Sequence, residues 1–111
     1  MCRALVVVCF APDRESLAEL KRAAVGPDWE LTPGATTPQE AVAQIEERSG
    51  HVLVVEGPAD EVVSRVREGW PWMRIVAVAG RPVVGATVVV GSLGEVRDAV
   101  RGLPRPAGPV G

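Results

Sequence analysis

Several stretches of the sequence are apolar without a break, and two of them, Ala4–Phe10 and Val52–Val55, limit the folds open to the chain more than any other feature. A strand with one wet face alternates apolar and polar side chains. An unbroken, β-branched run is buried on both faces, the condition of a strand inside a parallel sheet. Both runs stop abruptly, the first at Ala11-Pro12-Asp13 and the second at Glu56-Gly57-Pro58, and each leads into an amphipathic segment. Glu56 therefore stands where its strand leaves the core, at the carboxyl end, where open α/β sheets collect their functional groups.

The segments between such runs have helical spacing. Leu17, Leu20 and Ala24 form one face of a first helix that ends near Gly26-Pro27, with Glu15, Glu19 and Arg22 turned to water. Trp29–Thr32 alternates and predicts a short edge strand. Thr37-Pro38-Gln39-Glu40 carries two start signals, a Thr-x-x-Glu capping box and proline at the first helical position, ahead of a stripe of Ala41, Val42 and Ile45. Pro58 opens a third helix with Val62, Val63 and Val66 inward, closed by Gly69 and followed by Trp70-Pro71-Trp72. Arg74–Ala79 and Thr87–Val90 predict the fourth and fifth strands. Ser92-Leu93-Gly94-Glu95 is a second capping box, opening a last helix with Val96, Ala99, Val100 and Leu103 inside. Residues 1–103 make one domain, and Pro104–Gly111, rich in Pro and Gly, reads as a tail or the stub of a linker.

Strand–helix alternation of this kind predicts right-handed crossovers and a three-layer α/β sandwich. One link is too short for the rule. Only the seven residues Gly80–Ala86 join the fourth and fifth strands, and Pro82 and Gly85 leave no room for a helix. A parallel crossover normally takes about a dozen residues. Seven extended residues reach at most about 23–25 Å, just enough to return along a strand of about 17 Å. A taut parallel crossover is favoured, with a hairpin and an antiparallel fifth strand as the alternative. Either way the fourth helix is missing or reduced.

Composition narrows the function classes. With 111 residues, 47% apolar, 23% charged and a net charge of −2, the chain is an ordinary globular domain with no electrostatic reason to seek nucleic acid or an acidic membrane. Three Trp, one Phe and no Tyr are too few for a base-stacking platform. No apolar run approaches the roughly 20 residues of a membrane span, and Arg3–Phe10 lacks the cleavage site of a secretory signal. Cys2 and Cys9 sit too far apart on one strand to bridge and are too few for a zinc site. Reduced thiols in the cytoplasm are expected, with no cofactor.

In order and spacing, these residues resemble the receiver domain of response regulators. Arg3–Asp13 is similar to that family's first strand and turn, Trp29-Glu30-Leu31 with Thr37–Val42 to its second strand and helix, and His51–Pro58 to its phosphoacceptor strand. Arg74–Gly80 resembles its switch strand, and Thr87–Leu93 its last strand and helix start. The resemblance implies a flavodoxin-like fold with five mostly parallel strands in the order 2-1-3-4-5. It also implies an active site, and each of its positions has changed here. Cys9 and Phe10 stand where two acids hold Mg²⁺, and Glu56 stands for the phosphoacceptor aspartate. Ala79 replaces the Thr or Ser that grasps the phosphoryl group, and Gly91 the lysine. Mg²⁺ wants several hard oxygen ligands, which a thiol and a phenyl ring do not supply. The expectation is a pseudo-receiver, not an enzyme, with no metal.

Other chemistry is weaker on the sequence. Cys9 resembles the nucleophile of low-molecular-weight phosphatases, but Arg14 follows after four residues where that family needs five, and Pro12 removes an amide. A buried structural thiol is the default. Gly91–Gly94 lacks the lysine of a phosphate loop, and Glu95 would repel an anion. His51, the sole histidine, has no partner for catalysis or metal binding and reads as incidental. Glu56 is either a mimic of a phosphorylated aspartate or a solvated acid at a strand end. Trp70 and Trp72 either seal the core or anchor a partner. The resemblance adds that receivers dock and dimerise around the fourth and fifth strands. A protein partner or second copy is therefore expected there, on Trp70, Trp72, Arg81, Val83, Val84, Val88 and Val90. A small-molecule or anion binder using the strand carboxyl ends is the alternative.

Overall fold

The computed structural model describes residues 5–26, 29–57, 60–80 and 82–102. Strands β1 (Leu5–Phe10), β2 (Trp29–Leu31), β3 (Val52–Glu56), β4 (Arg74–Val78) and β5 (Val88–Val90) form one sheet in the order β2-β1-β3-β4-β5. Every pairing is parallel, including β4 with β5, so the short link is a crossover and not a hairpin. It is not fully extended: Val84 and Gly85 form a turn in which the Ala86 amide donates to the Val83 carbonyl at 3.2 Å. Helices α1 (Arg14–Ala24) and α4 (Val96–Gly102) cover one face; α2 (Pro38–Arg48) and α3 (Asp60–Gly69) cover the other. This is the flavodoxin-like sandwich, with four α-helices and five strands among the described residues. Ala4, the Pro58 start of the third helix, Leu103 and Pro104–Gly111 lie outside the described residues.

The two unbroken runs are buried on both faces, as their composition demands. Val7, Cys9, Val52 and Val54 pack with Leu20, Ala24 and Val96 under α1 and α4. Val8, Phe10, Leu53 and Val55 pack with Ile45, Val62, Val63 and Val66 under α2 and α3. Caps set the helix ends. The Asp13 carboxylate accepts from the Ser16 amide at 2.8 Å, and Thr37 Oγ1 accepts from the Glu40 amide at 3.2 Å. The return bond of the Thr37–Glu40 box lands one residue early, since Glu40 Oε1 accepts from the Thr36 amide at 3.0 Å. These bonds from Thr36 hold the exposed Glu40 carboxyl below its usual range.

The last helix starts later than its capping box predicts. Ser92 Oγ donates to the Glu95 carboxylate at 3.1 Å and caps no amide, so Leu93–Glu95 forms a 3₁₀ turn and α4 begins at Val96. His51 is structural, not incidental. Its amide donates to the Val6 carbonyl at 2.9 Å, and its Nδ1 accepts from the Val6 amide at 3.0 Å, pinning β1 to the start of β3.

Residues 79–87 hold no helix among those described. Val83 and Ala86 dip into the core that the fourth helix of a complete sandwich would cover. One side chain fastens this crossover. Arg67, on α3, donates from Nε to the Gly85 carbonyl at 2.7 Å and from Nη1 to the carbonyls of Pro71 at 3.0 Å and Met73 at 2.7 Å. Its Nη2 reaches Thr87 Oγ1 at 3.2 Å, and that hydroxyl also accepts from the Ile75 amide at 3.0 Å. Gly85 has φ +91°, and a Cβ there would stand 2.8 Å from Val63 Cγ1, so the crossover seats directly on α3.

Candidate functional site

The carboxyl ends of β1, β3, β4 and β5 lie side by side, and the register brings the five expected positions to one level. Phe10 pairs with Val55, Glu56 with Val78, and Val78 with Val90, so Cys9, Phe10, Glu56, Ala79 and Gly91 all fall within two residues of that line.

What they present there is mostly closed. Cys9 is fully buried beside Val54, and burial pushes its thiol up to about 12, well away from a reactive thiolate. Phe10 is buried in the opposite layer, against α2 and α3. Ala79 offers only backbone, its amide donating to the Val90 carbonyl at 3.0 Å. Gly91 is exposed, and its amide donates to Glu95 Oε2 at 3.2 Å, so a carboxylate already holds the amide that a phosphate would need.

Glu56 is the polar exception. Strand alternation turns it with Val52 and Val54 toward the α1 layer. Burial raises its carboxyl above the usual range, and the nearby charges of Glu19 and Asp13 raise it further. Its Oε1 is buried and finds no hydrogen-bond partner among the described residues. Carboxylates gathered this way are the raw material of a divalent-cation site, but the donor set does not fit Mg²⁺. Asp13 is committed to capping α1, Cys9 and Phe10 supply no oxygen, and no cluster of three or more His, Cys, Asp or Glu suited to a metal exists among the described residues.

On the α3 side of the same strand ends, a groove of about 670 Å³ is lined by Val55, Gly57, Asp60, Ala77, Ala79 and Val84, among others. Beyond it, between α3 and the crossover, lies a second groove of about 590 Å³ with Asp60, Val63, Ser64, Glu68, Val84 and Gly85 on its walls.

The residues expected at an interface separate by phase. Val84 is 92% exposed and Trp72 56%. Trp70 and Val83 are half-buried and pack on the α2/α3 core. Val88 and Val90 face the α1/α4 layer, Val90 buried and Val88 half-buried, which corrects the expectation that they front the open side. Val89, in register with Ala77, takes that place and is exposed. Three consecutive valines hide the phase of a strand, so sequence periodicity cannot choose among them. Arg81 lies outside the described residues. Nothing in the sequence singles out Arg67: its acceptors are mostly backbone carbonyls, which no residue pattern advertises.

No protein-family model matches the chain, and no curated protein matches it. Solved structures do. A CheY-like response regulator receiver domain protein from Methanospirillum hungatei JF-1 superposes with a TM-score of 0.72 at 15% identity, covering 89% of this chain and 92% of that one. The signal receiver domain of an HD domain-containing protein from Pseudomonas fluorescens Pf-5 gives 0.73 at 13% identity, over 89% and 93%. A structure described as a novel cobalamin-binding protein from Desulfitobacterium hafniense DCB-2 gives 0.68 at 14% identity, over 89% of this chain and 58% of that one. At such identities the likeness shows the fold, CheY-like and flavodoxin-like. One fold here serves receivers and a cobalamin binder, so function has to be argued from the site.

Proposed function

We propose that the chain is a pseudo-receiver: a non-catalytic, regulatory protein–protein interaction module in signal transduction. One observation carries the reading. Four adjacent strand ends keep the order of a receiver sheet, yet they present a buried thiol, a phenyl ring, an alanine and a glycine around Glu56, whose charged neighbours Glu19 and Asp13 are themselves acids. Phosphoryl transfer is mostly positioning and charge neutralisation, and these side chains offer neither. What the chain does offer is apolar surface, Trp72, Val84 and Val89, beside the crossover where a helix is absent. Monomers rarely leave such surface uncovered, which favours a protein partner or a second copy around β4 and β5. Acetyl phosphate with Mg²⁺ tests the first half: no phosphorylation of this chain is expected, and stoichiometric Mg²⁺-dependent labelling would overturn the reading.

The groove of about 670 Å³ at the strand carboxyl ends supports a second reading, a small-molecule or anion site. It predicts a raised melting temperature with phosphate, a nucleotide, a flavin or a cobalamin. A flat response across that panel removes it.

A further inference from the structure

We infer that the partner supplies the layer this chain lacks, as an amphipathic helix with an apolar stripe and a Lys/Arg-rich flank, laid between α3 and the crossover. The inference rests on the interaction reading above and names the chemistry of its partner.

The apolar half of the argument is a corner assembled by Arg67. Its guanidinium holds the carbonyls of Pro71, Met73 and Gly85 within 3.0 Å, so the backbone on both sides of Trp72 and the residue after Val84 meet at one side chain despite their distance in sequence. Val84 stands between the two grooves and lines both. Val89 extends the corner onto the face of β5 that shares Ala77. An elongated apolar track beside a helix is the shape that a docked helix fills, with anchors at i, i+3, i+4 and i+7.

The charged half sets the sign of the partner. Asp60 and Glu68 line the groove at opposite ends of α3, both are exposed, and neither is ion-paired among the described residues. Glu61 is matched by Arg65 at 2.9 Å. Arg67, the cation on the groove wall, has its donors committed to carbonyls and to Thr87. Arg67 keeps its charge but has its donors turned inward, so two exposed carboxylates against one guanidinium leave the described rim acidic by one charge, around Val63 and Val84. A second copy would bring the same acids against themselves, which costs affinity, whereas a basic flank completes the pattern.

Two synthetic helices of about 20 residues, long enough to hold helical structure, test this on the full chain. Both carry Leu at the anchor spacing; one has Lys at the remaining positions and the other Glu. The Lys helix should bind and shift the NMR signals of Trp72, Val84 and Val89. V84D and the double change D60N/E68K should each weaken it at least tenfold, with melting temperatures showing that the variants stay folded. E46K/E47K, on the exposed side of α2, should leave binding nearly unchanged. Equal binding of the Glu helix overturns the inference, as does a loss in E46K/E47K matching that in D60N/E68K. If sedimentation shows a dimer that V84D dissolves and neither helix binds, the basic-helix inference fails while the interaction reading stands. A monomer whose corner signals respond to neither helix and to no increase in concentration removes both.

Discussion

The two faces of the sheet solve one problem with different materials. On one face, α1 and α4 lay side chains over all five strands, and Val90 is tucked beneath them. On the other, α2 and α3 stop short of β5, and a crossover without a helix among its described residues takes over, with Val83 and Ala86 as plugs and Arg67 as the fastening. A helix satisfies its own backbone while covering a sheet. The crossover has a single turn bond of its own among its described residues, Ala86 amide to Val83 carbonyl, and the Arg67 guanidinium, with five N–H groups, ties its Gly85 carbonyl and Thr87 hydroxyl to the Pro71 and Met73 carbonyls ahead of β4. The covered face is redundant in its contacts; the strapped face depends on one residue.

That contrast can be broken by mutation. The largest loss is expected on the helical face, where Leu20→Ala should cost about 2–5 kcal/mol by urea unfolding, because Leu20 is wholly buried between α1 and the sheet. Arg67→Ala should cost about 2–3 kcal/mol and open residues 79–87 to proteolysis, and Arg67→Lys should restore little, since an ammonium cannot span four acceptors. A loss below about 0.5 kcal/mol would mean the crossover is held by packing alone. Gly85→Ala should cost about 1–2 kcal/mol through its positive φ and its contact with Val63.

The smallest effect is electrostatic and belongs to the strand ends. The folded-state carboxyl of Glu56 is raised above its unfolded value near 4.5, so above that value the folded chain keeps a proton there that the unfolded chain has lost. Stability from this group therefore falls as pH rises from about 4.5 through the raised value. Glu56→Gln should melt slightly higher than the parent at pH 7, and the advantage should fade as the pH is lowered toward about 4.5. An advantage that grows on acidification would contradict the buried, unpartnered placement of Oε1.

Much of this molecule is legible from the residues. Ala4–Phe10 and Val52–Val55 announce strands buried on both faces, because nothing polar interrupts them. The Thr37 cap bonds where its spacing says it should. The crossover is partly legible: its length permits a parallel fifth strand without requiring one, and pairing with β4 decides between the two geometries. The strand-end positions to which the receiver resemblance points can be found by likeness, and the strand register brings them to one level. The orientation of Val88–Val90 is not legible, since valine three times over carries no phase. The dependence of the open face on Arg67 is also hidden, because a basic residue near a helix end usually signals only a solvated surface.

The short crossover also bears on the order in which the chain folds. Val76 and Val88, partners across β4 and β5, lie much closer in sequence than any other pair of strand partners, whereas Val7 and Val52, across β1 and β3, are the most distant. The entropy lost on closing a loop grows with the logarithm of its length, so the β4–β5 pairing is cheaper to close than β1–β3 by about 1 kcal/mol. Cheap closure is not lasting closure. Only three residue pairs join β4 to β5, and Gly85 and Thr87 reach their anchor only once α3 has presented Arg67. The edge that is easiest to form early is therefore held by few pairs and one arginine in the finished molecule, and a partner seated beside α3 would slow its opening.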